Sequence, residues 1–306
     1  MIGLTRLESL PHALQRRFDL IVFDWDGTAV PDRHTPTPDL NQALESLLLQ
    51  GVWIAPVTGT KVENLEEHSL GKLSPQARAR RLIVCTNRGS EVWAYDPAGE
   101  RRKVWSRVST ETEEQQLSIA AEELQRRLKE RGLEVEIIYQ RLNRRKVDLI
   151  PLPEWADPPK SKIGDLIAAT RARVKAAGFA EIADLMDLAG ELARDAGLER
   201  PRITSDGKYV EVGLTDKGDS VAWLMENVAR VNGITNDRTA IAGDEFGDVG
   251  GFSGSDARML VPEARDAVFF SVGPEPAGVP DPVLNVGGGP ARFVEILQWQ
   301  STLRGS

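Results

Sequence analysis

Asp19-Leu20-Ile21-Val22-Phe23-Asp24-Trp25-Asp26-Gly27-Thr28 is the stretch on which the fold turns. Residues 20–23 contain no polar side chain, the pattern of a strand buried on both faces of a parallel sheet. The run ends in two carboxylates two residues apart, then in Gly27, which can take a backbone conformation closed to other side chains. Ligands of open α/β sheets bind beyond the carboxyl ends of the strands. Two acids there are costly unless a metal or a lysine accompanies them. The competing account is a turn in which the aspartates cap the next segment. A calcium loop is disfavoured, because further oxygen ligands at regular spacing are missing.

Downstream, residues 38–50 space their apolar side chains by three and four and predict a helix, which Gly51 stops. A strand over 52–57 runs into Thr58-Gly59-Thr60, whose hydroxyls and amides suit an oxyanion or, equally, an ordinary strand-to-helix turn. A third strand is expected at 82–85. Residues 91–95 and the turn Asp96-Pro97-Ala98-Gly99 then suggest a hairpin.

The character changes after residue 105. A charged helix over 110–131 carries Leu117, Ala120, Ala121, Leu124 and Leu128 as one stripe. Strands near 134–140 and 146–150 follow, then a loop with Pro151, Pro153, Pro158 and Pro159. Helices are expected at 161–177 and 179–196, and short strands at 201–205 and 208–213 around Ser205-Asp206-Gly207. These features predict an α+β module over 106–206, inserted into a parallel α/β domain made of 1–105 and 207–306.

Thr215-Asp216-Lys217-Gly218 opens a helix through 219–228. A lysine at a helix start opposes the helix dipole, so Lys217 either meets a phosphate or carboxylate or is a plain surface residue. The last apolar strand, from Arg238, ends in Gly243-Asp244-Glu245-Phe246-Gly247-Asp248, again with acids beyond it. Magnesium takes oxygen ligands, usually one or two carboxylates with water and substrate phosphate. Strands at 259–261, 267–272 and 283–286 and a helix at 290–299 complete the chain.

Composition excludes several classes. A net charge of −8 and a pI near 5.2 argue against a nucleic-acid partner, whose binding rests on phosphate neutralisation. Apolar content of 41% with 27% charged residues describes a globular protein. No run reaches the ~18 apolar residues of a membrane span, so no membrane partner is expected. The N-terminal MIGLTRLESLPHALQRR carries charges where a secretion signal is apolar. The single cysteine, Cys85, lies in an apolar run and reads as a core residue, and a cytoplasmic location follows as the default. His12, His34 and His68 are scattered, which argues against zinc. The basic runs 78–81, 101–103 and 141–146 read as solvated faces. Oligomeric state is not legible.

DWDGT, VTGT, a lysine followed by glycine, and GDEFGD stand in this order, each after an expected strand. Together they resemble the haloacid dehalogenase superfamily of aspartyl phosphatases, with a Rossmann-like parallel core and an inserted cap. The resemblance implies that Asp24 is the nucleophile and that Asp26 protonates the leaving oxygen and then activates water. It implies that Thr58 and Gly59 hold the phosphate, with Lys217 stabilising its charge. It further implies a Mg²⁺ site made by Asp24, the backbone carbonyl of Asp26, and Asp244, with Asp248 close by. Dehalogenases of the superfamily lack the second acid, so Asp26 favours phosphate chemistry. Gly207-Lys208-Tyr209-Val210-Glu211-Val212 before Lys217-Gly218 is similar to the matching segment of trehalose-phosphate and sucrose-phosphate phosphatases, as are Glu245 and the tail Gly287-Gly288-Gly289-Pro290. The implied partner is a small phosphorylated metabolite, a sugar phosphate, read by cap residues among which Arg144 and Lys146 are candidates. A phosphomutase and a non-catalytic binding protein are the alternatives. Two departures stand out: Thr60 where an arginine is common, and Gly247 where the family has asparagine or threonine.

Overall fold

A computed structural model describes residues 10–32, 35–156, 162–249 and 251–304. Residues 1–9, His34, Pro158, Pro159 and the first residue of the helix expected at 161–177 lie outside them. The chain divides into two compact units, 1–106 with 217–247 and 256–306, and 107–216 with 248–255.

The first unit is built on an eight-stranded sheet. Its strands are β1 (Leu20–Asp24), β2 (Trp53–Val57), β3 (Ile83–Thr86), β4 (Glu91–Tyr95), β5 (Arg101–Ser106), β10 (Thr239–Gly243), β11 (Val268–Ser271) and β12 (Leu284–Asn285). They lie in the order β12-β11-β10-β1-β2-β3-β4-β5. The pairs from β12 to β3 are parallel, and β4 and β5 add an antiparallel edge. Helices α1 (Pro38–Leu49), α2 (Val62–His68), α3 (Pro75–Arg81), α7 (Lys217–Leu224) and α8 (Gly289–Thr302) belong to this unit.

The unbroken apolar run of β1 follows from this layering. Ile21 and Phe23 join Leu44 and Leu47 of α1 and Phe293 of α8 in one core. Leu20 and Val22 join Val221 and Leu224 of α7 in another. Alternate side chains of a strand point to opposite faces, so a strand covered on both sides must be apolar throughout.

The second unit holds an antiparallel sheet in the order β6-β7-β9-β8, from β6 (Glu136–Ile138), β7 (Arg144–Asp148), β8 (Arg202–Ser205) and β9 (Tyr209–Gly213). Its helices are α4 (Glu111–Glu130), α5 (Ile163–Ala176) and α6 (Ile182–Asp195). A capping box starts α4: Glu113 N donates to the Thr110 hydroxyl, and Thr110 N donates to the Glu113 carboxylate. Val147, Val210 and Val212 pack with Leu117 and Leu124 of α4 and Leu185 and Ala189 of α6. Arg144, Lys146 and Glu211 alternate with those valines and so occupy the opposite face of the sheet.

Several expectations need correction. The second unit runs to Asp216 rather than to 206, because β9 pairs with both β7 and β8 and is internal to that sheet. The short apolar segment 259–261 is not a strand; 3-10 turns at Ser255–Met259 and Pro262–Ala264 bracket it, and Pro262 removes an amide that a longer ladder would need. Helices α2 and α3 were not expected. The basic run 141–146 is not a solvated face: Arg144 and Arg145 are buried, with Arg145 donating to Glu114 and Ser118 of α4. Among the described residues no helix is long and apolar enough to cross a membrane.

Candidate active site

Sheet register places the candidate residues on one rim of the first unit. Asp24, the last residue of β1, pairs with Val57, so Thr58 follows directly on the neighbouring strand. On the other side Phe23 pairs with Ala242, so Gly243 ends β10 and Asp244 stands just beyond. Gly27 has φ +94°, the positive-φ turn the sequence anticipates after the two acids. Thr28 then reaches across, its hydroxyl donating to Asp244 Oδ1 at 2.9 Å over 216 residues of sequence.

Lys217 begins α7 with its side chain buried, and its position against the dipole is explained by its partners. Its Nζ lies 2.8 Å from Asp24 Oδ1 and 2.7 Å from Asp256 Oδ1. Burial pushes the Asp24 carboxyl up to about 7, with Asp256 and Asp26 adding to that rise and Lys217 opposing it. Burial works against the Lys217 ammonium as well, but Asp24 and Asp256 outweigh it and raise its pKa. Lys217 is thus held charged between two acids.

Asp256 is the residue the sequence reading missed. It is fully buried. Its second oxygen, Oδ2, accepts from the amides of Asp244 and Glu245 at 2.8 and 2.9 Å. It therefore ties the lysine to the turn carrying Asp244. Asp24, Asp244 and Asp256 each offer an oxygen, all within 4.8 Å of one another. Such hard oxygen donors fit a divalent cation. Asp256 engages partners through both oxygens, Asp24 engages Lys217 through Oδ1, and Asp244 accepts from Thr28 through Oδ1.

Asp248, expected near the metal, is not a member of this triple. It is exposed and belongs to the second unit, where its Oδ1 accepts from Gly251 N at 2.6 Å. A signal for Asp256 exists in the sequence: Ser255-Asp256 precedes Met259 and Leu260, an acid opening an amphipathic turn.

Asp26 is half-buried, and its backbone bridges to Val30. Thr58 is buried, and its Oγ accepts from Thr60 N at 3.2 Å, fixing the Thr58-Gly59-Thr60 turn. Arg88 of the β3–β4 turn packs against Gly59: a Cβ built on Gly59 would lie 3.4 Å from Arg88 Cγ and 3.5 Å from its Nε. On the second unit's sheet, Lys146 Nζ is 2.9 Å from Glu211 Oε1, and Arg144 Nε is 3.4 Å from Glu211 Oε2. Cys85 is buried, and burial pushes its thiol up to about 12, as befits a core residue.

No family model matches the chain, and no curated protein sequence does. Solved structures do match. An IMP-bound mutant of Plasmodium falciparum IMP-nucleotidase is 15% identical, with a TM-score of 0.57 over 95% of this chain and 68% of that one. The C-terminally truncated form of that nucleotidase is 14% identical, with a TM-score of 0.56 over 95% and 73% of the two chains. Aspergillus fumigatus trehalose-6-phosphate phosphatase is 14% identical, with a TM-score of 0.55 over 98% of both chains. The chain shares with these nucleotidase and phosphatase structures its fold, a parallel-rich α/β core carrying an inserted unit.

Proposed function

We propose that the protein is a magnesium-dependent phosphomonoester hydrolase acting through an aspartyl-phosphate, with a sugar phosphate as its substrate. The observation that carries this reading is Lys217, buried and bonded to Asp24 and Asp256 beside Asp244. A carboxylate attacking phosphorus needs positive charge beside it, both to stay ionised and to neutralise the equatorial oxygens. Asp24 and Asp244, with the Asp26 carbonyl, would hold the magnesium ion. When bound, the ion supplies charge neutralisation at the phosphoryl group.

The residues divide the remaining work. The Asp24 carboxylate forms a bond to phosphorus while the ester P–O bond breaks, and the Asp26 carboxylic acid gives its proton to the departing oxygen. Asp26, now a carboxylate, takes a proton from water as that water attacks the phosphorus. Asp24 leaves as a carboxylate and inorganic phosphate is released. Thr58 and the amides of its turn bind the phosphoryl oxygens, and Lys217 stabilises their charge.

Support for a sugar substrate comes from the similarity of the 207–212 segment and from the fold shared with trehalose-6-phosphate phosphatase over nearly the whole of both chains. Arg144, Lys146 and Glu211 interleave donors and acceptors on one face of the inserted sheet, groups of the kind that bond hydroxyls. A nucleoside monophosphate is the second reading, favoured by the likeness to the IMP-bound nucleotidase. A panel of phosphomonoesters assayed with magnesium separates the two: sugar phosphates are expected to be turned over best, and a preference for nucleotides rejects the first reading. Label from isotopic water should enter free phosphate; isomerised substrate without label would instead mean a phosphomutase.

A further inference from the structure

Four consecutive amides of the turn after β10 are taken up by two buried carboxylates. Those of Asp244 and Glu245 donate to Asp256, as described above. Phe246 N donates to Glu275 Oε1 at 2.8 Å, and Gly247 N donates to Glu275 Oε2 at 2.9 Å. The Ser271 hydroxyl, at the end of β11, donates to Glu275 Oε1 at 2.7 Å and itself accepts from Gly273 N at 3.1 Å. Glu275 is buried and holds φ at +39°, outside the range L side chains prefer. Such backbone is strained and persists where surrounding bonds fix it.

We propose that Glu275 is a positioning residue that fixes the turn presenting Asp244 to the metal ion. The inference rests on the proposed role of Asp244 as a ligand. Gly247 supplies the stereochemical reason. A Cβ at that position would collide with the Gly278 carbonyl oxygen and with Glu275 Oε2. A side chain at 247 and the Glu275 clamp therefore exclude one another. The polar side chain expected there is replaced by a carboxylate arriving from the segment after β11. The location matters as well. Gly247 is the last residue of the first unit before the chain departs for 248–255 and returns at Asp256. Glu275 and Asp256 thus pin the turn on either side of that excursion.

Calorimetric titration of the metal-free protein with Mg²⁺ alone tests this, using wild type, Glu275→Gln and Ser271→Ala. In Glu275→Gln the new amide group must face one of the two backbone N–H donors, so Mg²⁺ affinity is expected to fall roughly 10–100-fold. Ser271→Ala frees Oε1 from one anchor and should weaken binding in the same direction by less. A purely structural Glu275 would lower the thermal midpoint while folded protein bound Mg²⁺ as wild type does, and that result overturns the proposal. Should Glu275→Gln fail to fold, unchanged affinity in Ser271→Ala overturns it equally. Because no substrate is present, wild type that binds Mg²⁺ without hydrolysing any phosphomonoester counts against the proposed function alone.

Discussion

Replacing Asp256 by asparagine is expected to loosen the whole site, and the size of the effect follows from its three bonds. One oxygen accepts from Lys217 Nζ at 2.7 Å and the other from two backbone amides at 2.8 and 2.9 Å. An asparagine can satisfy one side only; its amide group then points a donor at either the ammonium or the two N–H groups. Removing one member of a buried charged pair costs about 3–5 kcal/mol. Lys217 keeps Asp24 as a partner, and Asp24 loses a like-charged neighbour, so about 3 kcal/mol is the better figure. For a chain of this size that lowers the thermal midpoint by roughly 6–12 °C. Mg²⁺ affinity or turnover should fall about 10–100-fold, as for other residues that orient a ligand. The carboxyl of Asp24, freed of Asp256, should also titrate lower, because Asp256 is one of the groups that raise it. Differential scanning fluorimetry and steady-state assays on p-nitrophenyl phosphate measure the first two effects. An Asp256→Asn protein with wild-type midpoint and turnover would refute the reasoning.

Other outcomes follow from the same geometry. Asp26→Asn should slow formation of the phosphoryl-enzyme from alkyl phosphates by about 10²–10⁴, and by less from p-nitrophenyl phosphate, whose leaving group needs no proton; equal losses in that first step, read in single turnover, would deny Asp26 its acid role. Asp19 accepts from Arg304 and Arg238, and these bonds outweigh its burial and lower its pKa from 3.8. Its contribution is therefore present above the ordinary carboxylate range and lost as pH falls through the lowered value. The midpoint difference between wild type and Asp19→Asn should accordingly be largest near neutrality and vanish in acid. Cys85 should resist iodoacetamide at pH 8 in the native state and react on unfolding, since its buried thiol is pushed up to about 12; rapid native labelling would contradict its place in the core.

Much of this architecture is legible in the chain because buried parallel strands leave an unmistakable mark. Residues 20–23 and the apolar residues of β10 each run straight into acids, which locates the rim before any contact is known. Lys217 is legible as a misfit, a cation at a helix start that needs an acid. Asp256 is not, because the twelve positions separating it from Asp244 contain an excursion into the other unit, and Asp248 mimics the expected spacing. Sequence spacing cannot reveal that the chain leaves and returns. The unit boundary is hard to read for a related reason: the turn Ser205-Asp206-Gly207 looks like an end, yet β9 beyond it is an interior strand of the inserted sheet. Arg144 and Arg145 look solvated by composition, but their acids, Glu211 and Glu114, lie on other elements.

The claim that Asp24 attacks phosphorus is open to direct measurement. Protein quenched in acid during turnover of a phosphomonoester with Mg²⁺, then digested and sequenced by tandem mass spectrometry, should carry one phosphoryl group on Asp24, and none in Asp24→Asn protein. Turnover with no phosphoryl group on Asp24, or undiminished turnover by Asp24→Asn, would contradict the account.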